Sequence, residues 1–294
     1  MHCPPQRWLA EMERGDALER IAAALERLAP PPPPPTDWLT APAYVWDGET
    51  PRAVAVLDAV PLAQLHGISA QKAALRSNCE RLAQCAAAHD VLLWGARGMG
   101  KSALVRAAVA DVQASDPQAL ALVQIAPGAL PTFPALVAEL AQQSRAFLLF
   151  IDDLGFGADG RAEMLALRSL LDGGVAPRPA HVRIVVTANR RSIVEREDTS
   201  AAIHERDERD DALALADRFG LTLGFHPADK DTYLAILKGY TAPLGLSFDA
   251  EEAMAYAIQR GNRSGRTALQ FATELAGRAG LRAVVGGAVG GGGA

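Results

Sequence analysis

The chain alternates short, mostly apolar runs with segments whose apolar residues recur every three or four positions, the signatures of buried strands and amphipathic helices in turn. The runs fall at residues 91–94, 119–125, 147–151, 182–187 and 221–225. Helical spacing occupies residues 69–89, 103–114, 133–143, 161–171 and 213–219. Strands that are apolar on both faces need cover on both faces, so the alternation predicts an α/β fold: a parallel sheet sandwiched by helices. After the last strand, residues 229–279 show three helical patterns separated by Pro243-Leu244-Gly245 and Gly261-Asn262-Arg263-Ser264-Gly265, which predicts a small helical domain.

The two ends read differently. Residues 6–28 predict a helix with Leu18, Ile21, Leu25 and Leu28 on one face and Glu19, Arg20, Glu26 and Arg27 on the other, weakened by Gly15 in its first half. Its seam of about two heptads fits either a partner or oligomerisation helix or one docked on its own domain. Residues 30–35 are an unbroken proline run, an extended polyproline II spacer. Residues 37–65 read as an irregular segment whose Trp38, Tyr44 and Trp46 pack against the core. Residues 195–211 are crowded with charge and read as a solvated loop, a frayed helix or a disordered insertion. The glycine-rich end, 286–294, has no side chains with which to build a core. The expected organisation is a helix at 1–29, a proline-rich linker and irregular segment at 30–64, a sheet domain at 65–226, a helical domain at 227–281 and a tail at 282–294.

Composition narrows the classes. A chain of 294 residues, 49% apolar, can bury one large core and a small second one. Its net charge of −5 gives no global basic field, so no nucleic-acid partner is predicted. Cys3, Cys79 and Cys85 lack metal-ligand spacing and read as idle thiols, which fits a reducing cytoplasm. No apolar stretch has the length of a membrane span, and Arg7, Glu11, Glu13 and Arg14 leave no apolar signal core, so a cytoplasmic protein is expected.

The chemistry concentrates where the first strand breaks into glycines: Gly95-Ala96-Arg97-Gly98-Met99-Gly100-Lys101-Ser102, followed by a helix from Ala103. Gly-x-x-x-x-Gly-Lys-Ser turns backbone N–H groups inward around phosphate oxygens at a helix N-terminus, whose partial charge favours anions. Lys101 is placed to reach the β- and γ-phosphates of ATP, and Ser102 to offer its hydroxyl to Mg²⁺. The strand 147–151 ends in Asp152-Asp153, which brings two carboxylates beside the loop. Asp152 is the natural Mg²⁺ partner, and Asp153 stands where a carboxylate orients or deprotonates attacking water. Asn189 directly follows a strand, where an amide can bond both a γ-phosphate and that water. Arg218 ends a helix, suited either to the helix dipole or to a neighbouring subunit's nucleotide. Arg266 starts the last helix and is suited either to fold over the phosphates from the helical domain or to stand as an ordinary surface arginine. The stretch 65–68, just before the helix that leads into the first strand, is a candidate to touch a bound base.

Over residues 65–280 these pieces resemble the AAA+ ATPases: a Walker A loop at 95–102, a Walker B strand ending in Asp152-Asp153, a sensor-1-like Asn189, an arginine-finger-like Arg218 and a sensor-2-like Arg266. The stretches at 92–102, at Thr187-Ala188-Asn189-Arg190-Arg191, at 217–221 and at 225–227 look like an uncharacterised bacterial family of ATP-binding proteins, domain of unknown function 815. The run Asp152-Asp153-Leu154-Gly155 is also similar to helicase-loader ATPases, which likewise lack the usual glutamate. The resemblance implies a Mg²⁺-dependent ATPase with a helical lid, acting as a homo-oligomer on an unidentified protein client. The alternative is a nucleotide-dependent binding switch with negligible hydrolysis. A GTPase is disfavoured by the lack of an Asn-Lys-x-Asp motif, and a small-molecule kinase by the lack of a readable acceptor pocket.

Overall fold

The computed structural model describes residues 17, 19–24, 27, 36–154, 167–168, 170–171, 178–189 and 215–281. The chain divides into two units, Met1–Asp37 and Trp38–Ala294. In the first, residues 19–24 are helical. The proline run, the charged segment 195–211, the glycine-rich end and most of the helix predicted over 161–171 lie outside the described residues.

The second unit is built on a seven-stranded sheet. Its strands are β1 (Ala43–Trp46), β2 (Pro51–Val54), β3 (Val91–Gly95), β4 (Leu120–Ile125), β5 (Ala146–Leu154), β6 (Val182–Ala188) and β7 (Leu221–Phe225). Their spatial order is β2-β1-β4-β5-β6-β3-β7, parallel throughout except for the β1–β2 pair. Helices α1 (Ser69–Ala83), α2 (Lys101–Ser115) and α3 (Phe133–Leu140) cover the sheet, and α4 (Lys230–Thr241), α5 (Ala250–Gln259) and α6 (Gly265–Arg278) form the helical layer after it. This is the α/β sandwich that the apolar runs predict.

Alternation along the strands divides the core. Val91 and Leu93 join Leu75, Leu104 and Val105 on one face, while Leu92 and Trp94 join Phe133, Leu136 and Phe147 on the other. Tyr233, Ile236 and Phe271 of the helical layer belong to the first cluster, so that layer is packed onto the same core as α1 and α2. From β3 the chain crosses to β4, three positions away, then returns strand by strand through β5 and β6. The reversal beside β3 opens a crevice at the carboxyl ends of β3, β6 and β5, where ligands bind in sheets of this kind.

Residues 37–65, read from sequence as irregular, contain β1 and β2, which extend the sheet beyond β4. Two devices build this edge. Asp47 Oδ1 accepts from the backbone N–H groups of Glu49 and Thr50, at 2.9 Å each, which closes the turn between the strands. The buried Arg145 guanidinium donates to the carbonyls of Trp38, Ala41, Pro117 and Leu120 at 2.6–3.0 Å, fastening the chain before β1 to the chain before β4. Burial lowers the pKa of that guanidinium, and the carbonyl dipoles supply what water would.

The two described cysteines are free: Cys85 is exposed past the end of α1, and Cys79 is buried, its thiol pushed up to about 12 by desolvation.

Candidate functional site

The loop after β3 takes its shape from three glycines. Gly95 has φ +124°, and a Cβ there would stand 2.1 Å from the Phe225 carbonyl oxygen; that same oxygen accepts the Ala96 N–H at 2.8 Å. Only glycine lets β3 turn into the loop while its backbone touches β7. Gly98 (φ +75°) lies against the start of α6, where its carbonyl accepts the Arg266 N–H at 3.1 Å. Gly100 (φ +87°) is the N-cap of α2, supplies no side chain, and has open space where a Cβ would point. The first N–H groups of α2 therefore have neither intrahelical partners nor a capping side chain, and the positive end of the helix faces the crevice.

Opposite the loop, β5 and β6 fall out of step. Ile151 pairs with Val186 and Leu154 with Ala188, so Asp152 and Asp153 together face the single residue Thr187. Asp153 takes a left-handed backbone (φ +56°) at this bulge, and its N–H leaves the sheet ladder to donate to Thr187 Oγ1 at 2.8 Å. In a regular strand two consecutive residues point to opposite faces; here both carboxylates line the same cleft. Asp152 Oδ1 accepts from Ser102 Oγ and from Thr187 Oγ1, both at 2.6 Å. With its hydrogen on Asp152, Ser102 Oγ keeps its lone pairs for a cation.

Lys101 is buried, and its ammonium donates to the carbonyls of Gly95 (3.0 Å) and Ala96 (2.9 Å) and to Asn189 Oδ1 (2.9 Å). Asn189 Nδ2 in turn donates to Asp153 Oδ1. The amide orientation follows from its partners: an ammonium only donates, so it faces Oδ1, and a carboxylate only accepts, so it faces Nδ2. Desolvation holds the Lys101 pKa below its ordinary value. Asp153 and Asp152 pull it back up, while Arg97 and Arg266 add to the depression.

These groups line a cleft of about 450 Å³. Arg97, Lys101, Arg106 and Arg266 face it against two carboxylates, so its walls carry an excess of positive charge. Leu65, Tyr240 and Leu269 give it an apolar stretch.

Of the residues singled out in the sequence, the fold gathers Arg97, Gly98, Gly100, Lys101, Ser102, Ala103, Asp152, Asp153, Asn189 and Arg266 around this cleft. Gly95 and Ala96 hold Lys101 from behind, and Met99 is buried in the core. Arg218 is half-buried, in a turn whose N–H bonds to the Leu215 carbonyl at 3.1 Å, and is not among the residues lining the cleft. The sequence assigns no role in the site to Thr187, Arg106 or Tyr240. A threonine inside a β-branched run looks like a strand former, and an arginine on a helix looks like a surface charge.

A family model described as "Protein of unknown function (DUF815)" matches residues 39–279. The chain belongs to this family. Among solved structures, a mutant of Thermotoga maritima RuvB superposes with a TM-score of 0.50 at 18% identity, over 76% of this chain and 69% of that one. The Aeropyrum pernix Orc1 protein in complex with DNA gives 0.48 at 17% identity, over 76% and 63%. At these identities the likeness is one of fold, and the fold of this DUF815 protein is that of the AAA+ P-loop ATPases. Comparison with curated proteins gives no match.

Proposed function

We propose that this protein binds Mg²⁺-ATP in the cleft and hydrolyses it, using turnover to remodel or load a protein client as a homo-oligomer. One observation carries the reading: a glycine-built helix N-terminus, a buried lysine and a Ser102–Asp152 pair meet in one cleft with an excess of cations. A polyphosphate fits each of these features, since the open space at Gly100 admits oxygens that a Cβ would displace.

In this reading the backbone from Gly98 to Ala103 and the Lys101 ammonium hold the phosphates. Arg97 and Arg266 add charge at the rim. Ser102 and Asp152 hold Mg²⁺, which when bound neutralises charge developing on the phosphates. Asp153 is the proton acceptor for attacking water, and Asn189, bonded to Asp153, fixes that water's direction. Leu65, Tyr240 and Leu269 form the apolar end suited to a base. Arg218 acts in a neighbouring subunit's site, and residues 227–281 act as a lid over the sheet, which β1 and β2 extend beyond the expected core at 65–226.

Steady-state phosphate release, measured beside the Lys101→Ala variant, tests the proposal. Release that depends on Lys101 and Mg²⁺ supports it. Tight ATP binding with no Lys101-dependent release favours a nucleotide-dependent binding switch instead.

A further inference from the structure

We propose that Thr187 is a positioning residue whose single hydroxyl sets both carboxylates of the bulge, and so places Asp153 for water activation and Asp152 for the metal. The inference rests on the ATPase reading above for its catalytic consequence, and on geometry alone for the positioning itself.

Thr187 is 1% exposed, and its Oγ1 holds both hydrogen bonds that define the bulge, donating to Asp152 Oδ1 and accepting from the Asp153 N–H. A hydroxyl has one hydrogen to give and lone pairs to receive, so one atom can serve a carboxylate and an amide together. Valine has the same shape and neither capacity. Without the hydroxyl the Asp153 N–H would lose its partner in the protein, and the left-handed turn at Asp153 would lose the bond that holds it. The backbone would relax toward a regular strand, where consecutive side chains diverge, and Asp153 would swing away from Asn189. Asp152 would keep Ser102 but lose its second donor, freeing its carboxylate to rotate.

The test compares Thr187→Val with Thr187→Ser in the full-length protein. Hydrogen exchange at the Asp153 amide reads the positioning directly, whether or not the protein turns over ATP. Thr187→Val should expose that amide to exchange, and Thr187→Ser should protect it. Equal protection in the valine variant and the wild type overturns the proposal. In phosphate release, Thr187→Val should lower kcat by about a hundredfold, the scale of a small misplacement of a reacting group, while KM for ATP stays near the wild-type value. Thr187→Ser should restore most of the rate. A valine variant with wild-type kcat, or a serine variant as slow as valine, also overturns the proposal. Wild-type protein with no Lys101-dependent release would instead sink the ATPase reading, and the amide exchange would still decide what Thr187 positions.

Discussion

The Lys101 ammonium and the Asn189 side-chain oxygen lie 2.9 Å apart, so the loop's cation is tied to the end of β6 as well as to its own backbone. Trp94 pairs with Ala188 in the sheet, which sets Asn189 level with the first glycine of the loop.

Lys101→Ala should remove the cation together with its three hydrogen bonds, to the Gly95 and Ala96 carbonyls and to Asn189. A charge-assisted hydrogen bond is worth about 1.5–3 kcal/mol, so ATP affinity should fall by roughly tenfold to a hundredfold or more. Titration calorimetry checks this. Wild-type affinity in the variant would sink the phosphate-loop assignment.

The depressed pKa of Lys101 has a sign that can be measured. Between its folded value and the ordinary lysine value the unfolded chain binds the extra proton, so this group's contribution makes stability rise with pH through that alkaline window. Below the folded value, the penalty for burying the charge is fully present. Phosphates beside the ammonium favour its charged form, so ATP binding within the window should take up a proton. Calorimetry in two buffers of different ionisation enthalpy should show that uptake in the wild type and lose it in Lys101→Met.

Two glycines of the loop should fail in different ways. Gly95→Ala puts a Cβ 2.1 Å from a backbone oxygen at φ +124°, and strain together with overpacking should destabilise the fold by about 3 kcal/mol or more. Gly100→Ala meets nothing within 4 Å and should lose only about 1–2 kcal/mol from its left-handed backbone. Its Cβ would point into space that suits phosphate oxygens. Urea denaturation and ATP titration of both variants should thus separate a stability defect at Gly95 from a binding defect at Gly100.

Local periodicity made much of this legible. The strands at β3 and β5 carry continuous apolar runs, those at β6 and β7 are apolar apart from Arg183, Thr187 and Thr222, and the loop announces itself because glycine, lysine and serine fall in one fixed spacing. What stayed hidden depends on partners distant in sequence. The four residues of β1 are too few to show a period, and they form a strand because Arg145, about a hundred positions later, holds the chain before them. The bulge at Asp153 is a mismatch between two strands, so neither strand alone contains it. Thr187 matters for the same reason.

Arg218 supplies a test of assembly. It does not line its own chain's cleft, so the proposed role requires a second subunit. Arg218→Ala should keep ATP affinity and lose hydrolysis by about a thousandfold, far beyond the roughly 1 kcal/mol of a helix-dipole contact. Mixing it with Lys101→Ala should restore turnover, since hybrid interfaces pair an intact loop with an intact arginine. Activity independent of concentration down to a proven monomer would end the idea.

The loop is held at two points, one on the last strand and one on the helical layer that follows it. That layer grows from β7, whose last residue, Phe225, holds Ala96, and its final helix returns to place the Arg266 N–H on Gly98. Only Arg97 lies between those anchor points. In the proposed ATPase, a displacement of the loop at Arg97 would pull on both bonds at once, so the last strand of the sheet and the last helix would feel the same movement.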